Sequence, residues 1–469
     1  MKVLLVTVTS VLPEEKFIKV SVDGEGGYPI GVPYIQSYLK SKNHEVEYID
    51  LILFPYHENA RILLDKINSF QPDVIGFSVL TGNHINTFNL MEIVHNKYPK
   101  IRIVVGGIHA TILYEQIITK FQYAIVVIGE GEITFSELLE ERPLSSIDGI
   151  AYFSNEQVIK TKNRELIYNL DILPFPEHAR ITSEHKMANM LTSRGCPQSC
   201  SFCALNPNAK RIRRVRSAKN VVDEVEYIIK KYPNINLIYF MDDALLVDSK
   251  RVIEICNEII KRNLNHISYQ CQARVKPFNK EVVPYLEKAN FRDIYFGLET
   301  ANESMLKRCH KSITQQDVTD VVTAMKDSKI KITLFLIIGL PGETLDTIKE
   351  TASFIQKMQK IKYIMYFNGQ PPLLSVFAGT EVYEIMKVNK KIDDNYWPIN
   401  NMTPSFTAEH SIDELNKLKE ELCNRISFMP LSLNRLIHQY HMIPYVIKYT
   451  LRYYSSNPIS FLREFIKKR

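Results

Sequence analysis

"MANMLTSRGCPQSCSFC", residues 187–203, places a short apolar strand directly before a loop with three closely spaced cysteines. These are Cys196, Cys200 and Cys203, in the spacing C-x-x-x-C-x-x-C, and the next cysteine is Cys256. Three thiolates can hold three irons of a four-iron, four-sulfur (4Fe–4S) cluster and leave the fourth iron open to another ligand. A zinc site completed by a remote histidine or cysteine is the alternative, although zinc sites more often pair two Cys-x-x-Cys motifs.

The residues after the cysteine loop alternate apolar strand candidates with helical patterns. The strand candidates are "INLIYFMDD" (235–243), "HISYQCQAR" (266–274), "RDIYFGLE" (292–299), "KITLFLIIGLPGE" (331–343) and "IKYIMYFNG" (361–369). About six such βα units predict a (βα)6-type partial TIM barrel over residues 186–400. The chemistry of such a barrel lies at the carboxyl ends of its strands, where the cysteine loop, Asp242, Arg274 and Glu299 all fall.

Residues 1–141 contain a separate series of five βα units. Its strand candidates are Lys2–Val8, "VEYID" (46–50), "VIGFSVL" (74–80), "IRIVVGG" (101–107) and "AIVVIGE" (124–130). The pattern predicts an α/β domain with a doubly wound parallel sheet, which binds ligands outside the carboxyl ends of its strands. Ser78, Gly106, Gly107 and Glu130 stand at those ends, and glycine lets a ligand approach the backbone closely. Ordinary tight βα turns are the alternative interpretation.

The remaining segments carry weaker signals. Residues 142–185 are predicted to be a connector, because two prolines interrupt regular structure in "LDILPFPEH" (170–178). "GEGGYPIG" (24–31) lacks the ending of a phosphate-binding loop and is interpreted as an ordinary loop. His109 is interpreted as a turn or edge residue, and residues 401–469 are predicted to be a helical C-terminal region.

The composition favours a soluble globular protein, with 45% hydrophobic and 23% charged residues among 469. A net charge of +6 on a chain of this size argues against a nucleic-acid partner. Seven cysteines, three of them clustered and with no secretion signal ahead of them, indicate thiolate ligands in a reducing compartment, so we expect a cytoplasmic protein. The basic C-terminal segment is interpreted as a solvated helix face rather than a membrane contact.

The C-x-x-x-C-x-aromatic-C loop after a first barrel strand resembles the radical S-adenosylmethionine (SAM) superfamily. "YFGLETANESMLKRCHKSIT" (295–314) resembles the family's fourth-strand segment, and "LIIGLPGET" (336–344) resembles its fifth-strand loop. "FMDDALLVDSKR" (240–251) and "LDILPFP" (170–176) are similar to the subgroup with an N-terminal cobalamin-binding domain, the class B radical SAM methyltransferases.

This resemblance implies specific roles for the residues at the strand ends. Cys196, Cys200 and Cys203 would hold a 4Fe–4S cluster whose open iron binds SAM for cleavage to a 5′-deoxyadenosyl radical. SAM would be bound near Asp242, through a carboxylate or a backbone carbonyl, and by Arg274 and Glu299. Pairing of Arg274 with a neighbouring acid and a purely structural, buried Glu299 carboxylate are the alternatives.

The resemblance also extends to the first domain, where Ser78, Gly106, Gly107 and Glu130 would contact cobalamin. The cobalamin signature is only partly present. Ser78-Val79-Leu80 and Gly106-Gly107 match it, whereas the Asp-x-His-x-x-Gly element is absent, and with it the lower axial histidine.

The implied activity is cobalamin-dependent methylation of an unactivated carbon. A radical SAM cyclase or rearrangement enzyme of the same architecture is the alternative, and a zinc- or nucleic-acid-binding module is the alternative from another class. The expected partners are a small-molecule or peptide substrate and an electron donor such as flavodoxin or ferredoxin.

Overall fold

The computed structural model describes ten stretches of the chain. They are residues 1–9, 30–140, 142–178, 186–205, 211–362, 364–366, 371–393, 395–397, 403–404 and 406–426. Most of the loop predicted at 24–31 and the chain after residue 426, which includes most of the predicted helical C-terminal region, lie outside them. No helix of the described stretches combines the length and apolar character needed to cross a bilayer.

The first sheet has seven strands in the order β2-β1-β3-β4-β5-β6-β7. The strands are β1 Lys2–Thr7, β2 Glu45–Asp50, β3 Val74–Ser78, β4 Arg102–Gly106, β5 Ala124–Val127, β6 Ile150–Ser154 and β7 Gln157–Lys160. β1 to β5 are parallel, and the β6–β7 hairpin continues the sheet in antiparallel fashion. The chain order reverses between β1 and β3, which confirms the doubly wound sheet.

Helices cover both faces of this sheet because its strands are apolar on both sides. The helices are α1 Gly31–Ser41, α2 Tyr56–Phe70, α3 His84–Lys97, α4 Ile108–Ile112, α5 Tyr114–Lys120 and α6 Gly131–Leu138. Val3 and Leu5 of β1 belong to the core under α1 and α6, whereas Leu4 and Val6 belong to the core under α2 and α3. Alternate burial of this kind is what a continuous apolar run in a parallel strand predicts.

The second sheet is the predicted partial barrel, with six parallel strands in the order β15-β14-β13-β12-β11-β8. Its strands are β8 Met187–Met190, β11 Leu237–Phe240, β12 Ser268–Ala273, β13 Phe291–Glu299, β14 Lys331–Leu336 and β15 Ile364–Tyr366. Between β8 and β11 in the chain there is a short antiparallel pair, β9 Ser193–Arg194 with β10 Arg214–Val215. Within the described residues the first and last strands, β8 and β15, do not pair, so the barrel is open there, and the sequence-based fold class is confirmed.

Helices pack on the outer face of the partial barrel. They are α7 Ala218–Lys231, α8 Ser249–Lys261, α9 Val283–Lys288, α10 Glu303–Arg308, α11 Gln315–Ala324, α12 Leu345–Gln359 and α14 Ile412–Arg425, whereas α13 Glu381–Val388 packs in a separate core beside the cysteine loop. Ile294, Phe296 and Leu298 of β13 are buried in the core that these helices cover. The alternate residues of β13 therefore face the barrel interior, and its last residue reaches the carboxyl-end rim.

The segment between the two sheets is more ordered than a plain connector. The β6–β7 hairpin within residues 142–185 completes the first sheet, and the domain boundary at 141/142 stays a prediction. His109 is not an edge residue, because its buried ring stacks on His84 at 4.3 Å and meets Trp397 edge-on. That contact joins the first domain to a segment that follows β15, the last strand of the barrel.

The turn after β4 shows why glycine is required there. Gly107 has a φ of +101°, and a Cβ atom on it would stand 2.5 Å from the backbone oxygen of Val79. We expect Gly107→Ala to lower the stability of the first domain by roughly 1–3 kcal/mol, the usual cost of a strained backbone position. At about 2–4 °C per kcal/mol, the thermal midpoint should fall by several degrees.

The neighbouring glycine provides the matched control. A Cβ on Gly106 would have Val127 as its nearest neighbour, at 3.9 Å, so Gly106→Ala should leave the midpoint nearly unchanged. Circular dichroism of both variants during heating measures the difference. Equal midpoints would contradict the close approach of this turn to Val79.

Candidate functional site: a cysteine loop beside a glycine-lined cleft

The base of the cysteine loop is tied to the end of β11 by one buried carboxylate. Asp242 Oδ2 accepts a hydrogen bond from the Thr192 backbone N–H at 3.1 Å, and Oδ1 accepts from the Thr192 hydroxyl at 2.9 Å and from the Ser193 hydroxyl. All three residues are buried. The Asp242 carboxylate is thus engaged within the chain, and the predicted contact of this residue with SAM now rests on its backbone carbonyl.

The three cysteines line one cavity of about 210 Å³, together with Gln198, Thr380 and Glu381. Their thiols are free, and within the described ranges no three His, Cys, Asp or Glu side chains converge on a single metal-ion position. A cavity between three soft sulfur donors suits a multi-atom iron–sulfur group. The residues present are therefore compatible with a 4Fe–4S cluster.

Backbone contacts hold this loop in place. Gly195 has a φ of +88°, and a Cβ on it would stand 2.3 Å from the backbone oxygen of Ile212. Ser201 donates its N–H to the backbone oxygen of Cys309 at the end of α10, and its own oxygen accepts from Val382 of α13. The loop is consequently fixed at both ends before any ligand binds.

Arg274 lies beside the cysteine loop, at the end of β12. Burial lowers the pKa of its guanidinium, and interactions with Cys196 and Cys200 act against that shift, so the group lies within electrostatic reach of these two cysteines. Among the described residues it has no hydrogen-bond acceptor or acidic partner, although the sequence had left such pairing open. A half-buried, uncommitted guanidinium next to the cluster position can bind a carboxylate through two hydrogen bonds.

Glu299 ends β13 in an uncommon backbone conformation. Its φ is +67°, and the pairing with β14 shifts register between Gly297 and Glu299. The buried carboxylate accepts a 2.6 Å hydrogen bond from Lys311 Nζ. A Cβ on Gly297 would stand 2.5 Å from Glu299 Oε1 and 2.8 Å from Lys311 Nζ, so glycine is needed to admit this ion pair.

The Glu299–Lys311 pair acts on the nearest cysteine. Burial raises the pKa of the Cys200 thiol, the charge of Lys311 lowers it, and the charge of Glu299 raises it again. The ion pair therefore lies within electrostatic reach of the cluster position. Sequence analysis missed Lys311, although it stands inside the quoted segment 295–314, one short helix after Glu299.

The second site is a cleft of about 520 Å³ at the carboxyl ends of the first sheet. Ser78, Gly106, Gly107 and Glu130 all line it, as predicted, together with Gly76, Gly129 and Gly131. Its opposite wall is formed by three residues of the second domain, Leu191, Arg194 and Met241. The backbone at Gly106 is open to the cleft, since the nearest atom to an added Cβ would be 3.9 Å away. A large planar ligand such as cobalamin can approach the backbone here.

The Glu130 carboxylate is also engaged within the chain. It accepts hydrogen bonds from Arg194 at 2.8 Å, from Arg214 at 2.7 Å and from the backbone N–H of Ile167 at 3.1 Å. Burial alone would raise its pKa, but the hydrogen bonds and charges of the two arginines lower the pKa below its ordinary value. Glu130 is thus a carboxylate anion in the wall of the cleft, and its ion-pair partners are two arginines of the second domain.

The predicted residues fall into two groups. Arg274 and Glu299 gather around the cysteine loop, whereas Ser78, Gly106, Gly107 and Glu130 line the cleft. The carboxylate of Asp242 belongs to neither ligand surface. Arg194, which sequence analysis also missed, stands between the groups.

Replacing any one of Cys196, Cys200 and Cys203 by alanine should abolish iron incorporation and SAM cleavage while the chain stays folded. The reason is that two thiolates leave a cubane with two unligated irons. Iron and sulfide analysis after anaerobic reconstitution and chromatography for 5′-deoxyadenosine provide the measurements. Cys423→Ala, on α14, is the matched control and should behave as the wild type. Full iron content and 5′-deoxyadenosine formation in any loop variant would refute the ligand assignment.

Comparison with known families and proteins agrees with this geometry. The model of the Radical SAM superfamily matches residues 190–355, and the model of the B12 binding domain matches residues 17–139. An uncharacterized methyltransferase of Pyrococcus horikoshii is 29% identical over 440 residues, which are 91% of this chain and 90% of that protein. The anaerobic magnesium-protoporphyrin IX monomethyl ester cyclase of Rubrivivax gelatinosus is 28% identical over 342 residues, 69% of this chain and 61% of the cyclase.

Two solved structures superpose on most of this chain. The cobalamin-dependent SAM radical enzyme OxsB, with aqua-cobalamin and SAM bound, superposes with a TM-score of 0.70 at 19% identity over 86% of this chain and 63% of its own. The radical SAM methyltransferase TsrM of Kitasatospora setae gives a TM-score of 0.67 at 18% identity over 82% of this chain and 78% of its own. At these identities the likeness shows the fold. Fold and family matches together show a Radical SAM domain over residues 190–355 and a B12 binding domain before it, over residues 17–139.

Proposed function

We propose that the chain is a cobalamin-dependent radical SAM enzyme that methylates an unactivated carbon of a small-molecule or peptide substrate. The observation that carries the proposal is the composition of the cleft. Its glycine-rich wall comes from the first sheet, and its opposite wall comes from residues that flank the cysteine loop and the end of β11. A cobalamin in this cleft would face the barrel mouth where SAM and substrate bind.

When bound, the 4Fe–4S cluster supplies an electron for the cleavage of SAM, and cobalamin supplies a carrier for the methyl group. The chain's own residues bind and orient these groups. Arg274 would bind the SAM carboxylate through its uncommitted guanidinium. The Glu299–Lys311 pair would orient the polar part of SAM beside Cys200, as a preorganised ion pair does without rearrangement during the reaction. Leu191 and Met241 would exclude water between the two sites.

A second activity is favoured by one observation among the relatives. The anaerobic magnesium-protoporphyrin IX monomethyl ester cyclase of Rubrivivax gelatinosus matches 69% of this chain at 28% identity. The same architecture could therefore serve a cyclisation in which no methyl group is transferred. The two activities differ in their products, because S-adenosylhomocysteine accompanies methylation only.

The reaction needs an external reductant, and flavodoxin or ferredoxin has the appropriate chemistry. All seven cysteines are free thiols, and an open iron–sulfur site persists in a reducing compartment. We therefore place the enzyme in the cytoplasm.

Gly106→Val should block cobalamin binding, because the added side chain would project into the cleft beside the backbone. The wild type, reconstituted with hydroxocobalamin, should retain about one cobalamin per chain through gel filtration, as a single doubly wound site predicts. The variant should bind at least about tenfold more weakly. Gly106→Ala, with a smaller side chain, is the graded control. Equal binding by wild type and Gly106→Val would exclude this cleft as the site.

None of the described residues that line the cleft is a histidine. Electron paramagnetic resonance of bound cob(II)alamin should accordingly lack superhyperfine splitting from a protein imidazole. Complete loss of cobalamin from wild type with an intact iron–sulfur cluster would move the assignment to the non-methylating alternative. Detection of S-adenosylhomocysteine together with 5′-deoxyadenosine supports methylation.

Glu299→Gln should keep the cluster and weaken SAM binding. The substitution weakens one charged hydrogen bond that Glu299 would make to SAM, worth about 1.5–3 kcal/mol, and so predicts a loss of roughly ten- to hundredfold in affinity. Lys311→Met should have a similar effect, because it removes the other partner of the same pair. Titration of the reduced cluster with SAM, followed by its paramagnetic resonance spectrum, measures both affinities.

The control for this pair is Lys349→Met, which breaks the exposed ion pair of Lys349 with Asp346 on α12. Such surface pairs contribute little, and SAM affinity should not change. Wild-type affinity in Glu299→Gln and Lys311→Met would show that the ion pair serves only the fold.

A further inference from the structure

Arg194 belongs to both sites at once. It stands two residues before Cys196, and it lines the glycine-rich cleft. Its Nη1 donates to Glu130 Oε1 at 2.8 Å, and its Nη2 donates to Glu132 Oε1 at 2.6 Å. Each nitrogen of the guanidinium end thus binds a different carboxylate of the first domain. The two acids follow β5 directly, at the end of the sheet where the cleft lies.

A neighbouring arginine, Arg214, adds a further hydrogen bond to Glu130. In the β9–β10 pair, Arg214 stands directly opposite Arg194. Arg214 Nη1 donates to Glu130 Oε2 at 2.7 Å and to the backbone oxygen of Ile167 at 2.8 Å. Glu130 is therefore held through both oxygens by two adjacent arginines of the second domain. The first domain and the cysteine loop meet at this point through charged hydrogen bonds.

The surroundings of Arg194 make this contact stiff. Its guanidinium lies 5.0 Å from the centre of the Tyr34 ring, which adds a cation–π contact. The next residue, Gly195, passes tightly against Ile212. A shift of Arg194 must therefore move the first cysteine of the loop.

We propose that Arg194 is a positioning residue that sets the separation between the cysteine loop and the glycine-lined cleft. The inference rests on the proposed function, in that the cleft holds cobalamin and the loop holds the cluster. Clamped across Glu130 and Glu132, the guanidinium keeps the two bound groups at one distance. It takes part in no bond-making step, and it acts through the backbone of the loop and the wall of the cleft.

The chain offers a conservative variant and a matched control. Arg194→Lys keeps the charge, but an ammonium is a point charge without the planar fork that spans two carboxylates. Arg262 has the same side-chain exposure as Arg194, 17%, and binds Asp223, Glu226 and Glu258 between α7 and α8. It lines neither site. Arg262→Met therefore removes a comparable cluster of ion pairs without changing the contacts of Arg194 with Glu130 and Glu132.

The first experiment measures the separation itself. Wild type, Arg194→Met, Arg194→Lys and Arg262→Met are reconstituted with cluster and hydroxocobalamin, and iron and cobalt are counted. After reduction to cob(II)alamin and the reduced cluster, pulsed paramagnetic resonance gives the distribution of distances between the two spins. We expect one narrow peak in wild type and Arg262→Met. Arg194→Met should lose that peak while it keeps both groups, and Arg194→Lys should be intermediate.

The second experiment does not depend on cobalamin. Hydrogen exchange of the amides in residues 192–196 is measured in cluster-loaded protein for wild type, Glu132→Gln and Arg262→Met. Glu132→Gln, in the first domain, should speed exchange in the loop by about tenfold or more, as expected for loss of a charge-assisted hydrogen bond. Arg262→Met should not. If Arg194→Met fails to fold, the exchange rates in Glu132→Gln still test the positioning role of Arg194.

The outcomes separate the inference from the proposed function. An unchanged narrow distance peak in Arg194→Met, or unchanged exchange in Glu132→Gln, overturns the positioning role even if the enzyme methylates. If wild type binds no cobalamin, the proposed function fails, and loop exchange in Glu132→Gln alone decides whether Arg194 couples the two elements. In turnover, Arg194→Met should lower kcat by about 100-fold with little change in KM, the loss that a displacement of about 1 Å produces.

Discussion

The buried carboxylate of Asp242 is the constraint from which the geometry of the cysteine loop follows. A carboxylate in this position must be compensated, because an unpaired charge in the protein interior is costly. Thr192 and Ser193 supply three hydrogen bonds, and Arg251 stands near enough to act as a counter-charge. Burial lowers the pKa of Arg251 to about 10, with Asp242 acting against that shift. The loop must therefore leave β8 beside the end of β11.

The rest of the site depends on the direction in which the cysteine loop leaves β8. The loop passes close to Ile212 at Gly195 and reaches the ends of β12 and β13, where Arg274 and Glu299 stand. The uncommon backbone of Glu299 is compensated by its ion pair with Lys311 in a space that only a glycine at 297 leaves open. Strain of this kind is retained where neighbouring contacts determine it, and it is concentrated at functional sites. Three strand ends thus converge on the cavity of the three cysteines.

Two parallel sheets with their carboxyl ends turned toward one cleft explain how two large cofactors can share a chain. Each sheet type binds ligands at this edge for the same reason, namely that strand ends and following loops are free to carry polar and glycine residues. The feature particular to this chain is the set of ion pairs between the two domains. Arginines on the β9–β10 pair bind acids that follow β5, so the mutual orientation of the domains is set beside both ligand positions.

The sequence alone predicted the parallel strands of both sheets, the cysteine cluster and the glycine edge of the cleft, but not that the β6–β7 hairpin joins the first sheet. Apolar periodicity and short motif spacing are local properties, and the alternating runs of the chain carry them completely. It did not determine the partners of the charged residues. Arg194 pairs with Glu130 and Glu132 across 64 and 62 residues, and nothing in the local pattern of either segment indicates that contact. In the same way, the sequence suggested a turn or edge position for His109, which is buried, and it did not single out Lys311. The tertiary structure was needed to show which carboxylates are already hydrogen-bonded within the protein. It was also needed to show that Arg274 has no acidic partner among the described residues. The physical reason is that ion pairing depends on distances in space, and those exist only after the two domains have packed.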